Sequence, residues 1–168
     1  MSHESESNRP NVYFALGAAA TIVLLVSSQV IRSHETLLLK VAGVTAVPLS
    51  LLFMFAPFYY LNKFGCVESG KSFVHTTKVV DRGVYAIVRH PQYVGYVLLN
   101  LGLALLNWHG VTAVATFLAC IFFYLQSIQE ERFCQQQMGA DYDAYCRRVP
   151  RFNFLWGIIK WLNRKRAA

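Results

Sequence analysis

The chain has 168 residues, 55% of them hydrophobic and only 15% charged, with a mean hydropathy of +0.34. That is too apolar for an ordinary soluble domain and points to a single integral membrane domain over residues 1–168. The formal net charge of +7 would suit nucleic acid or a membrane surface. The basic residues flank apolar runs, so membrane lipids, and not nucleic acid, are the expected partner.

Residues 1–11 lack the basic start of a cleaved signal peptide and read as a disordered tail. Residues 12–61 hold two apolar runs, each long enough to cross a bilayer. The first, 12–31, contains Gly17 and Ala18 to Ala20, small residues that let helices approach closely. The second carries Pro48 and Pro57, where kinks are expected. Its aromatic stretch 53–60 could face a lipid chain or form an interfacial belt. Residues 62–90 are polar, punctuated by Gly65, Gly70 and Gly83, and read as a loop. Residues 91–128 form a helical hairpin turning at Asn107-Trp108-His109-Gly110. Residues 129–168 are amphipathic and end in an interfacial helix with an aromatic face and a basic tip, Arg164-Lys165-Arg166. Cys66, Cys120, Cys134 and Cys146 show no C-x-x-C spacing, so reduced thiols are expected rather than disulfides or a metal site.

The fold class expected is therefore an all-α membrane bundle of about four transmembrane helices. Four spans put both termini on one side. Of the 16 Lys and Arg, all but Arg32 and Lys40 then share that side. The bias predicts that the termini and the 62–90 loop are cytoplasmic. It also brings Arg89-His90-Pro91 and Glu130-Glu131 to one membrane face, at the two ends of the hairpin. Pro91 suits the first turn of a helix. A helix start preceded by Arg and His favours anions. Carboxylates are costly in hydrocarbon, so Glu130 and Glu131 need partners. Two explanations stand at this point: a span boundary closed by a local salt bridge, or a polar pocket for a zwitterionic ligand.

The run Arg89-His90-Pro91-Gln92-Tyr93-Val94-Gly95, followed by Glu130-Glu131, resembles the R-H-P-x-Y-x-G … E-E pattern of the membrane methyltransferases. That family includes the isoprenylcysteine carboxyl methyltransferases and the phospholipid methyltransferases. Gly139, Tyr142, Tyr145 and Val149-Pro150-Arg151 are similar to its G-x-x-Y-x-x-Y-x-x-x-V-P-R segment. The likeness covers roughly residues 79–154. It implies S-adenosylmethionine as cofactor, held by Arg89, His90, Pro91, Tyr93, Gly95, Glu130 and Glu131. Tyr85, Tyr142 and Tyr145 are weaker candidates for the pocket wall. Gly95, lacking a Cβ, would allow close approach. Glu130 and Glu131 are the expected catalytic carboxylates, with Tyr96 as another candidate base. In the isoprenylcysteine branch an arginine precedes the glutamate pair; here that neighbourhood contains Gln126 and Gln129 and no cation. Arg148 or Arg151 could take its place toward a substrate carboxylate. The acceptor expected is lipophilic: a prenylcysteine carboxylate, a phospholipid amine or a small thiol. Two other readings compete. Residues 134–150 are similar to a segment of NADPH-dependent membrane sterol reductases, and the apolar bulk alone would suit a non-enzymatic assembly module.

Overall fold

The computed structural model describes residues 11–31, 33, 36–65 and 78–166. It contains five α-helices: α1 (Val12–Val30), α2 (Leu37–Phe64), α3 (Pro91–Leu106), α4 (Gly110–Arg148) and α5 (Phe154–Arg166). A 3-10 turn, Gly83–Ala86, precedes α3. No strand occurs among the described residues. The expected all-α membrane architecture is thus the observed one. The tail 1–10, most of the 32–35 turn, and residues 66–77 of the loop, including Cys66, lie outside the described residues.

Three helices, α1, α2 and α4, are long and apolar enough to cross a membrane. The fourth expected span, α3, has only 16 residues, about 24 Å at 1.5 Å per residue. It is also the sheltered member of the bundle: Leu101 is its only exposed residue. The other three turn apolar side chains outward, among them Ile22, Val26, Leu52, Phe55, Val114 and Phe117. Such a face suits hydrocarbon.

Lipid is as apolar as leucine, so close packing and interhelical hydrogen bonds must hold the bundle. α2 runs antiparallel to α3. A Cβ on Gly43 would fall 2.8 Å from the Gly102 carbonyl, and one on Gly95 would fall 2.9 Å from the Ser50 carbonyl. α1 runs antiparallel to α4. There the absent side chain of Gly17 admits the Phe123 ring, as the small-residue run predicts. Asn100 ties the centre: its Nδ2 donates to Thr21 Oγ1 at 3.1 Å and to the Tyr96 carbonyl at 2.9 Å. Pro48 and Pro57 both sit inside one continuous helix, and Pro57 is fully buried.

Two boundaries differ from the sequence reading. α2 runs on to Phe64, which shortens the loop. α4 continues unbroken past Ile128 into the amphipathic region. It breaks at Gly139, whose backbone has φ 50 and ψ −126. Only glycine reaches that conformation without strain, so the chain turns back there toward the bundle.

Candidate functional site

The start of α3, the end of the α4 span and the segment after α4 meet at one corner. Backbone pairing brings the third of these in. The Arg89 N–H donates to the Pro150 carbonyl at 3.0 Å, and the His90 N–H to the Arg151 carbonyl at 3.4 Å. Pro91 is buried at the first position of α3 and needs no donor there. Arg164 on α5 braces the same corner, donating to the Ala86 carbonyl at 2.7 Å and the Arg148 carbonyl at 2.9 Å.

Glu131 is the hub, with only 5% of its surface exposed. Arg151 grips it with two prongs, Nε to Oε1 at 2.9 Å and Nη2 to Oε2 at 2.6 Å. His90 Nε2 lies 3.0 Å from Oε1. An ionised carboxylate only accepts, so Nε2 must carry the proton. Arg89 Nη2 completes the set at 3.4 Å. Hydrogen bonding to Glu131 holds the Arg151 guanidinium above its ordinary pKa, against the opposing effect of burial. Arg151 also donates to the Tyr124 hydroxyl at 3.1 Å. The His90 ring stacks on Phe152, with centroids 6.3 Å apart, and its centroid lies 5.8 Å from that of Tyr93.

Glu130 has a different environment. Its side chain is 35% exposed, and His90 Nδ1 lies 3.7 Å away. The Tyr93 hydroxyl interacts with it. In the same corner Arg89 Nε is buried and has no hydrogen-bond partner. The corner therefore holds one unsatisfied buried donor and one half-exposed carboxylate, while Glu131 and Arg151 satisfy each other.

The residues named from the sequence divide accordingly. Arg89, His90, Tyr93, Glu130, Glu131 and Arg151 converge. Gly95 does not face the corner. It lies in the α2–α3 seam, where a Cβ would strike Met54 and Ser50, so its missing side chain serves helix packing. Tyr142 and Tyr145 are buried with Val149 in a cluster behind the corner. Tyr145 donates to the Tyr85 carbonyl at 2.8 Å and so acts as a strut. Burial raises the Tyr85 phenol well above its usual pKa, with Glu130 and Cys134 adding to the effect, so it stays protonated. Tyr96 pairs with Gln92 at 2.9 Å and stacks on Phe123, below the corner. Arg148 is turned away, toward Asp81 at 3.4 Å.

Three contributors were not assigned from sequence. Phe152 walls His90, and Tyr124 steadies Arg151. Gln126, at the level where the isoprenylcysteine branch has its cation, is buried and committed to α1. It accepts from the Phe14 N–H at 3.2 Å and donates to Asn11 at 3.3 Å. Asn11 gives α1 no side-chain cap of its own, which explains a neutral residue with a carbonyl oxygen at this position.

A helical membrane bundle with a charged corner at the mouth of its sheltered helix defines a class of membrane protein rather than a simple anchor. Residues 38–141 match the family described as phospholipid methyltransferase, and the chain belongs to that family. It is similar to protein-S-isoprenylcysteine O-methyltransferase B of Arabidopsis thaliana, 31% identical over 99 residues, which is 54% of this chain and 50% of that protein. The corresponding enzyme of Schizosaccharomyces pombe is 33% identical over 100 residues, 54% of this chain and 42% of that one. The Xenopus laevis enzyme is 35% identical over 85 residues, 50% and 29% respectively. The chain thus spans half or less of the length of these relatives. No solved structure matches it.

Proposed function

We propose that the chain transfers a methyl group from S-adenosylmethionine to a lipophilic acceptor at the membrane, with the cofactor held at the Arg89–His90/Glu130–Glu131 corner. The observation that carries this reading is the half-exposed Glu130 carboxylate in the corner that also holds the buried, unpartnered Arg89 Nε. They match a zwitterionic amino-acid head and ribose hydroxyls, the donor for a carboxylate and the acceptor for an ammonium or hydroxyl. When bound, the cofactor supplies a methyl group activated on a sulfonium centre.

The protein's contribution is positioning and exclusion of water. Glu131 orients His90, Arg89 and Arg151 as one unit, so it is a positioning residue. Glu130 and Arg89 meet the ligand, with Tyr93 and His90 forming the wall. The acceptor approaches along the seam of α1, α3 and α4. That seam is lined by Phe14, Tyr96 and Phe123, whose rings lie 5.0 to 6.1 Å apart. The names of the relatives favour a prenylcysteine carboxylate, which needs no base. Arg151 is the cation near enough to the corner to meet it. A phospholipid amine, in keeping with the family description, would instead lose a proton, and Glu130 is the open carboxylate able to take it. The charge bias supports a cytoplasmic position for this corner and for both termini.

The test is transfer of labelled methyl from S-adenosylmethionine by the reconstituted chain to prenylcysteine analogues, phospholipids and lipophilic thiols, with products identified by mass. Label in any lipid-soluble product supports the reading. No transfer to any of these, by protein that binds NADPH, contradicts it.

A further inference from the structure

Besides the Arg164 brace, α5 has an apolar face and a basic one. Leu155, Trp156, Ile159 and Leu162 form a stripe at helical spacing, each between 42% and 64% exposed. The opposite face closes a groove of about 340 Å³, lined by Asp81, Arg148, Trp161, Arg164 and Lys165 among others. Its three cations outnumber its one carboxylate.

Phe154, at the start of α5, packs on Phe53 with ring centroids 5.4 Å apart, in a cluster with Val88 and Val94. One turn on, a Cβ on Gly157 would strike the Ile87 carbonyl. The far end carries Arg164, Lys165 and Arg166, and Arg164 is bonded to the carbonyls of Ala86 and Arg148. Along its length α5 therefore lies against residues 86–94, at the level of the charged corner and the start of α3. A helix at that boundary suits an interfacial seat, with an apolar stripe for acyl chains and a basic groove for headgroups.

We propose that α5 is seated in an anionic leaflet, its stripe among the acyl chains and its groove holding the phosphate of an acidic phospholipid. Arg164 spends one N–H on each of two carbonyls and keeps three donors free. The Lys165 ammonium lies 4.3 Å from the centroid of the Trp161 ring and is likewise a free point charge. The Arg148–Asp81 pair is long, at 3.4 Å, and both side chains are half exposed, so a phosphate can compete for Arg148. Apolar burial and basic charge on one helix are the two contributions that interfacial anchoring needs. This assignment does not depend on the methyl-transfer reading.

The test uses the full chain in lipid nanodiscs. With Trp108 and Trp161 replaced by Phe, Trp156 emission is expected to fall at least roughly twofold in brominated phosphatidylcholine and to resist acrylamide. Emission that is unquenched by lipid but open to acrylamide overturns the seating, and leaves the stripe for a protein partner. For the groove, native mass spectrometry reads lipid retained from mixed phosphatidylcholine and phosphatidylglycerol. Phosphatidylglycerol is expected to be preferred. Lys165→Gln should lower that preference roughly fivefold. Asp81→Asn should raise it, and opposite shifts from two surface positions do not arise from misfolding. Equal retention of both lipids, or displacement of phosphatidylglycerol by millimolar inorganic phosphate, overturns the headgroup assignment.

Discussion

The two ends of the α3–α4 hairpin are both polar, yet they are built from different chemistry. At the turn, Asn107 closes the structure with neutral groups. Its Oδ1 accepts from the Ser33 N–H at 3.0 Å and the Ser33 hydroxyl at 2.7 Å, and its Nδ2 donates to the carbonyls of Ser28 and Ile31. His109 and Thr112 form a reciprocal capping box at the start of α4. At the opposite end the groups are charged, and they are packed around one buried carboxylate. Neutral hydrogen bonds suffice to fix a turn. Desolvating three cationic or protonatable side chains and two carboxylates is far more costly, and leaving Arg89 Nε and Glu130 short of partners adds to that cost. The turn is fixed by neutral groups, although His109 Nε2 is buried there without a partner, whereas the corner concentrates charge around Glu131.

The sharpest way to break this contrast is to remove the hub. Glu131→Gln leaves Arg151, Arg89 and His90 facing a neutral amide in a buried setting. It should cost about 3–5 kcal/mol, seen as lower thermal stability in detergent together with lost cofactor binding. A stable variant with normal binding would show that the cluster is not coupled. Asn107→Ala should also destabilise, by about 2 kcal/mol, but with cofactor affinity unchanged. A loss of affinity there would mean that the turn and the corner are not separable. Glu130→Gln should behave in the reverse way: unfolding within about 0.5 kcal/mol of the parent and affinity for adenosylhomocysteine reduced roughly tenfold, as expected for one charge-assisted hydrogen bond. Smallest is Gln126→Ala, which removes the borrowed cap of α1 and should cost about 1 kcal/mol. It should leave affinity intact, and hydrogen exchange at the Phe14 amide reports it directly.

The bundle was legible in the sequence because its signals are local. Span length and the charge on either side placed Arg89-His90 and Glu130-Glu131 on one face, and the small residues near Gly17 marked a real helix contact. What escaped was whatever depends on a partner distant in the chain. Arg151 reaches Glu131 only because the chain reverses at Gly139 and residues 150–151 pair with residues 89–90. No spacing announces that pairing. Gly95 was ambiguous in principle: a missing side chain serves a ligand or a neighbouring helix equally well, and only the position of Ser50 and Met54 decides for the helix. Gln126 read as an absent cation, whereas its amide answers an uncapped helix on another span. The pair Glu130-Glu131 read as two like carboxylates, and the fold sends one inward and leaves the other half open.

We propose that the charged corner holds S-adenosylmethionine through Glu130 and Arg89. Calorimetric titration of the detergent-solubilised chain with adenosylhomocysteine, run side by side on the parent and Glu130→Gln, tests it most directly. Saturable one-to-one binding by the parent, weakened roughly tenfold in the variant at unchanged thermal stability, is the predicted result. Tight binding of NADPH with no heat from adenosylhomocysteine, or equal affinity in both proteins, would contradict it.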